Sequence, residues 1–380
     1  MEKHREAVTK ITELVRKFYQ ARQPFRISHG SSTSTRPKKQ GNDIVVDINA
    51  LNNVLQVCCF TNTILVEPNV PMDRLVEATL KHGLIPPVVP EFPGITVGGA
   101  FAGGAAESSS FRYGFFESTV KSIEIILGNG DTVSASPTEH ADLFRGSASA
   151  LGSLGTTTLL KLKLTKAKKY VKVSYLRMDS IAQAIQKIRL MTEDVRNDYV
   201  DGIMFSDSHT VIIVGELTDE EPESGKIRTF SHAFDPWFYE HVKDITKASA
   251  DLIPEQLPSR NIFRLQGISS AMTAEDSGAP QESQESKRYI AQDVALPYHN
   301  AEAVIKSIAK SHHIWPLWLC PLKPTLIPTL QPHTGTVDRD GNLEQMLNIG
   351  LWGFGPADLD SFVGTNRQIE QRLRDFAGRK

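Results

Sequence analysis

The sequence predicts an α+β protein of two domains, and three observations carry that expectation. A chain of 380 residues is longer than one hydrophobic core comfortably serves. From Phe25 to about Thr165, short β-runs are separated by clusters of Gly, Pro, Ser and Asn. Beyond Tyr170 strands and helices alternate in an order that suits an antiparallel sheet with its helices on one face. The expected boundary lies near Ala167 to Tyr170, giving domains of 1–168 and 169–380.

The elements follow in order. Val8, Ile11, Val15 and Phe18 recur at helical spacing among charges, so the first twenty residues read as an amphipathic helix docked on its own core. DIVVDI (Asp43 to Ile48) and NTILVEP (Asn62 to Pro68) are strand-like, with β-branched residues between turn formers. MDRLVEATLKHG (Met72 to Gly83) reads as a helix that stops at a glycine suited to a C-cap. SIEIILGNGDTVSAS (Ser122 to Ser136) is a hairpin around Gly128, Asn129 and Gly130. The stretch from Asp142 to Thr165 begins as a short helix, turns at glycines and ends in a strand in which Leu160, Leu162 and Leu164 alternate.

In the second half Ser180 to Met191 is a helix, and DGIMFS with HTVIIVGEL makes a strand pair. Ser269 to Arg288 has the low hydrophobicity of a mobile polar loop. A strand (Ile290 to Ala295), a helix (Ala301 to Ser311), a strand (Trp315 to Cys320) and a last strand near Gln345 to Trp352 complete the order.

Composition removes several function classes. With 40% apolar and 23% charged residues and a net charge of −2, the chain lacks the basic excess of a nucleic-acid binder. No apolar run approaches the roughly 18 residues of a spanning helix, and the first residues lack the apolar centre of a signal peptide. Cys58, Cys59 and Cys320 are odd in number and show no zinc spacing, so a reduced cytosolic chain without a metal site is expected. Rossmann, P-loop, HExxH, GxSxG and EF-hand patterns are absent.

Two loops carry the chemistry. RISHGSSTSTRP (Arg26 to Pro37) offers hydroxyls and a glycine turn that can surround a phosphate, although a solvated Ser/Thr loop explains it equally. PEFPGITVGGAFAGGAAESSSFRYG (Pro90 to Gly114) holds five glycines between Gly94 and Gly104. Backbone so bare invites close approach by a diphosphate-bearing cofactor; a tight Gly/Ala packing contact is the alternative. In the second half Trp315, Trp318 and Trp352 suit an apolar pocket or a core. His312 and His313, adjacent before a strand, point to opposite faces and do not share a metal. Asp293, an acid inside an apolar strand, is either hydrogen-bonded structure or a functional acid.

Both loops, with DIVVDINAL and VEPNVPMDRLVEATLKHGLIPP between them, resemble the PCMH-type FAD-binding domain of the vanillyl-alcohol-oxidase family, and within it the delta-24 sterol reductases. The resemblance continues through NGDTV, GSLG and AKKYVKV and returns at WFYEHV, AQDVALP, WPLWLCP and NIGLWG. It implies a two-part FAD-binding domain followed by an antiparallel-sheet cap domain for the substrate. By motif, Ser28, His29, Gly30, Ser31 and Ser32 would cradle the diphosphate from one side. Gly98, Gly99, Gly103, Glu107, Ser108, Ser109 and Ser110 would hold the other side and approach the ring, with Tyr113 as a further flavin contact. Gly152, Gly155 and Thr156 would contribute near the adenine or ribitol. His29 precedes its glycine rather than following a Gly-Gly pair, so the FAD is expected to be non-covalent.

The activity so implied is FAD-dependent reduction of an alkene, or dehydrogenation, of a lipophilic small molecule, by hydride transfer at flavin N5. NADPH is the expected hydride donor for alkene reduction. The substrate-side candidates are Asp293, Arg260, Tyr298, His313 and Cys320. The family's membrane anchor and apolar membrane-facing insertion find no counterpart, Ser269 to Arg288 standing in place of the latter. The family also continues past the point matching FAGRK. A soluble, cytoplasmic enzyme of lipophilic secondary metabolism, or one peripheral to internal membranes, with a rebuilt pocket is therefore expected. An isomerase or cyclase without net redox, and a non-catalytic ligand-binding homologue, are the alternatives.

Overall fold

Contacts divide the chain into two units, one formed by Met1–Ala105, Phe115–Ala167 and Pro328–Gln331, the other by Ala106–Gly114, Lys168–Ile327 and Pro332–Lys380. The computed structural model describes residues 1–30, 44–90, 94–221, 227–230, 236–247, 253–258, 288–327, 330–333, 337 and 341–380. The polar segment expected to be mobile, 269–288, lies outside the described residues apart from Arg288.

In the first unit α1 (Glu2–Gln20) is amphipathic, and its Ile11 and Val15 are buried with Val46, Ile48, Leu51 and Ile126. His4, on the same helix, meets Glu67 at 2.8 Å and Glu124 at 3.4 Å. Strand β1 (Arg26–Ser28) pairs in parallel with β2 (Val45–Asp47). β3 (Val54–Cys58) and β4 (Thr63–Val66) lead to α2 (Met72–Leu80), which ends before Gly83 at φ +66°. β5 (Leu84–Ile85) precedes the glycine-rich α3 (Val97–Gly103). The short α4 (Ser110–Tyr113) belongs to the second unit.

Back in the first unit, β6 (Val120–Leu127) and β7 (Thr132–Ala135) form the hairpin at Asn129 and Gly130. They are followed by α5 (Ala141–Ser147), β8 (Gly155–Lys163) and β9 (Thr165–Lys166). Among the described residues the main sheet runs β3-β4-β8-β6-β7. Its inward Leu160 and Leu162 are each at most 1% exposed, and burial of such a side chain stabilises by about 1.5–3 kcal/mol.

The second unit contains β10 (Tyr170–Met178), α6 (Ile181–Glu193), β11 (Tyr199–Ser206), β12 (His209–Thr218), α7 (Phe238–Ile245) and β13 (Ile253–Pro258). β14 (Tyr289–Pro297), α8 (Tyr298–His312), β15 (Leu317–Leu322), β16 (Met346–Phe354) and α9 (Leu359–Asp375) follow. Seven strands form one antiparallel sheet in the order β13-β10-β12-β11-β15-β16-β14. Alternate residues of a strand face opposite sides. Val200, Leu317, Leu319, Leu347, Ile349, Leu351 and Val294 pack into one core with α6, α8 and α9.

Two expectations change. α7 joins the opposite side of the sheet, because its Phe238 and His241 stack on Tyr175 while the neighbouring Leu176 packs with the other helices' core. The two adjacent histidines precede β15 as expected but belong to the end of a helix, so strand alternation does not set their faces: His312 closes α8, and His313 is its left-handed C-cap at φ 51°. Among the described residues no helix is long and apolar enough to cross a membrane.

Candidate functional site

Three segments expected to bind a cofactor converge in the first unit. β1 carries Ser28 and His29 to Gly30, which turns at φ +63° with its Cα facing Asn49. The loop after α5 is bonded to α3, Ser149 N–H donating to Phe101 O and Leu151 N–H to Ala102 O, each at 3.0 Å. The same loop reaches β1 at Gly152, where a Cβ would meet Ile27 Cδ1 at 2.9 Å. Ser28, Gly103 and Gly152 are thus placed by one connected set of loops. Ser31 and Ser32 lie outside the described residues.

The glycines differ in what they do. Gly98 lets the backbone close on Pro68, its N–H donating to Pro68 O at 2.7 Å, and a Cβ there would lie 2.6 Å from Pro68 Cβ. Gly99 N–H donates to Thr96 Oγ1, the N-cap of α3. Gly103 faces open space, with no described atom within 4 Å of a Cβ built on it. Gly155 lies over Ile126 O, where a Cβ would come within 2.4 Å. Thr156 is 1% exposed, and its Oγ1 has no hydrogen-bond partner among the described residues. A bare, open backbone at Gly103 and an unsatisfied buried hydroxyl at Thr156 fit an extended polar ligand bearing phosphates.

Beside α3, Glu117 sits in a 3-10 turn, and Gln331 donates to it at 3.3 Å and also to Ser149. Burial pushes the Glu117 carboxyl up to about 7, against the hydrogen bonds that lower it.

Glu107, Ser108, Ser109, Ser110 and Tyr113 belong to the second unit. There β11 and β15 pair at Gly202, Ile203 and Met204 against Leu319, Trp318 and Leu317. Farther along, Pro321 has no N–H to give, and the segment from Glu107 to Ser110 takes up the freed groups. Val200 N–H donates to Ser108 O at 2.8 Å, and Lys323 N–H to Ser110 O at 3.1 Å. The Cys320 thiol donates to Glu107 O at 3.3 Å. Glu107 N–H donates to Ser110 Oγ at 2.8 Å, and Ser110 N–H returns to Glu107 O at 2.6 Å, closing a turn. Arg112 fastens the far end, donating to Asp198 at 2.9 Å and to the carbonyls of Val195 and Asn197 at 2.7 Å.

The sheet face away from α6, α8 and α9 holds two of the five substrate-side candidates, Asp293 and Cys320. Cross-strand partners place Asp293 opposite Gly350 and Gly350 opposite Trp318, while Cys320 lies opposite Asn348. Asn348 Nδ2 donates to Asp293 Oδ1 at 3.1 Å, joining the two rows. Asp293 is solvent-accessible at its strand position. Protein crowded round its carboxyl nevertheless raises the pKa, against donations from Asn348 and Trp352. Tyr298, at the start of α8, is buried instead in the core on the helix side of the sheet, and its hydroxyl has no partner among the described residues. His313 does not join them: it ends the same helix, about 22 Å from Tyr298 at 1.5 Å per residue. Arg260 lies outside the described residues.

Asp201 is the acid that sequence reading misses. It is 3% exposed in β11, and its Oδ1 has no hydrogen-bond partner among the described residues. Burial lifts its pKa well above the usual carboxylate range. Among the described residues no group of three or more His, Cys, Asp or Glu side chains could hold a metal ion.

Comparison with known proteins agrees with this geometry. Residues 6–136 match the model of the FAD binding domain family. The chain is 26% identical over 371 residues to the Delta(24)-sterol reductase of Homo sapiens, covering 90% of this chain and 70% of that one. It is 24% identical over 385 residues to the Delta(24)-sterol reductase homolog dhcr-24 of Caenorhabditis elegans, covering 90% and 72%. A shorter likeness, 31% over 134 residues, links 34% of this chain to 25% of cytokinin dehydrogenase 9 of Oryza sativa subsp. japonica. The chain therefore carries an FAD-binding domain in its N-terminal part and, over nine tenths of its length, is a distant relative of the sterol reductases.

Proposed function

We propose that the protein binds FAD non-covalently and acts as an oxidoreductase on a lipophilic small molecule, by alkene reduction or dehydrogenation. The observation that carries this reading is the convergence of the Gly152 loop with β1 and α3, both inside the stretch that matches an FAD-binding domain, beside Gly103 backbone that no described side chain covers. The names of the relatives, sterol reductases, support a lipophilic substrate. When bound, FAD supplies a two-electron hydride carrier at its N5 position.

The chain's own residues do the rest. Gly98 and Gly99, packed on Pro68 and Thr96, set the path of α3, and open backbone at Gly103 with the Ser28 and Thr156 hydroxyls holds the cofactor's polar spine; His29, next to Gly30, forms no covalent bond to it. Glu107, Ser108, Ser109, Ser110 and Tyr113 bind toward the flavin ring. On the sheet face of the second unit, Asp293, whose carboxyl accepts from Asn348 and whose pKa is raised by the protein around it, exchanges the proton that accompanies hydride transfer. Trp318 and Trp352 give that face its apolar surface.

The test is turnover. Purified protein with FAD, NADPH and a panel of lipophilic alkenes is expected to oxidise NADPH in step with product. Asp293→Asn is expected to keep the FAD and lower kcat about a hundredfold, at the low end of what a general acid contributes. A product formed without NADPH or oxygen uptake would replace the redox reading with isomerisation or cyclisation. An unaltered kcat would remove Asp293 from proton transfer.

A further inference from the structure

The loop after α5 adopts a conformation that its own residues disfavour. Ser149 and Leu151 both lie in the left-handed region, at φ 59° and 52°, where a side chain crowds the backbone and glycine does not. Their N–H groups reach Phe101 O and Ala102 O, carbonyls of the last turn of α3, which a helix cannot satisfy by itself. A further contact secures the loop there, and it comes from far along the chain.

Pro328–Gln331 belongs to the first unit, although the sequence on either side of it belongs to the second. Gln331 is 5% exposed, and its amide donates to Ser149 Oγ and, at 3.3 Å, to Glu117 Oε2. It lies against Gly104, the left-handed C-cap of α3, where a Cβ would come 2.7 Å from both Gln331 Oε1 and Ser149 Oγ. The open backbone of Gly103 is therefore flanked on both sides, by the loop's bond to Ala102 and by Gln331 on Gly104. A side-chain amide suits this place because its two N–H donors can serve a hydroxyl and a carboxyl at once. We propose that Gln331 is a positioning residue, a clip that holds the Ser149–Gly152 loop against α3 in the conformation that binds FAD. This inference rests on the FAD-binding reading above.

The experiment compares the full chain with Gln331→Ala, Ser149→Ala, Ser149→Gly and the Gln331→Ala/Ser149→Gly double variant. Two quantities are read: the FAD dissociation constant by fluorescence titration, and amide exchange at Ser149 and Leu151 without FAD. Leu164, whose N–H donates to Asn62 O at 2.8 Å, reports on the rest of the unit. Gln331→Ala and Ser149→Ala are each expected to weaken FAD binding about tenfold and to speed exchange at both loop amides by a similar factor, with Leu164 unchanged. Ser149→Gly loses the same hydroxyl but also the left-handed strain, so it should stay within about threefold of the parent. For the same reason the double variant should regain most of what Gln331→Ala loses. A Gln331 that merely filled space would gain nothing from glycine at another position.

Parent-like binding and exchange in Gln331→Ala, a double variant no better than Gln331→Ala, or Leu164 exchange that quickens as much as the loop's would overturn the proposal. Should Gln331→Ala fail to fold, Ser149→Ala against Ser149→Gly carries the same comparison, and equal behaviour of those two would refute the clip. If the parent takes up no FAD, the flavin reading fails on its own. The exchange rates still judge the clip, and unchanged protection at Ser149 and Leu151 in Gln331→Ala would refute it.

Discussion

Gly99 and Gly103 stand four residues apart on α3 and should answer a bulky substitution for different reasons. A Cβ at Gly99 would lie 3.0 Å from Thr96 Oγ1, the N-cap of the helix, so Gly99→Val threatens the cap, worth about 1 kcal/mol, before any ligand is considered. At Gly103 nothing described lies within 4 Å. Gly103→Val should therefore fold with an unchanged far-ultraviolet dichroism spectrum and lose at least tenfold in FAD affinity; full retention of FAD would detach α3 from the cofactor. The sequence made such glycines visible because a run of them is rare, but not which one is spent on packing. Asp293 and Asp201 show the same limit. Both are acids in apolar strands, yet only Asp293 stands out in the sequence, since Asp201 opens the expected strand DGIMFS, and a polar residue at a strand end is ordinary.

At the scale of elements, the hairpin at Asn129–Gly130, the helix stop at Gly83 and the alternating β8 were legible because local chemistry decides them. α7 was not placed on its own side of the sheet by any local pattern. It is held there by a buried cluster in which Glu255 accepts from Tyr175 at 2.9 Å and from His241 at 2.9 Å. Burial alone would raise the Glu255 pKa, but those donations and the charge of Arg228 outweigh it and leave it lowered. His241→Ala strips the carboxylate of one of its two closest partners and should cost the second unit about 3 kcal/mol, measured by urea unfolding.

The 3-10 turn of the first unit behaves oppositely. The Glu117 pKa is raised from 4.5 to about 7, so the folded state holds a proton that the unfolded chain releases. Its contribution is complete below pH 4.5 and is lost as pH rises through about 7. The shift corresponds to at most about 3 kcal/mol, less where water reaches the carboxyl. Glu117→Gln should therefore unfold at nearly the same urea concentration at pH 5 and pH 8, whereas the parent loses stability between them. An equal loss in both proteins would assign the pH dependence elsewhere.

Across the whole molecule, one continuous motif is shared between two units. α3 lies in the first, while the turn from Glu107 to Ser110, α4 and their anchor Arg112 lie in the second. No local pattern announces that division. The bonds that enforce it run from Ser108 O to Val200 and from Ser110 O to Lys323, and backbone groups far apart in sequence pair without regard to residue type. Only Pro321, which deprives β15 of a donor where the turn enters, leaves a mark that could be read in advance.

The central claim, that this chain is a flavoprotein, is tested most directly by the visible absorption spectrum of the purified protein before and after acid precipitation. Flavin bands are expected in the native protein, or after incubation with added FAD, and should pass quantitatively into the acid supernatant. A protein that stays colourless and takes up no FAD would contradict it.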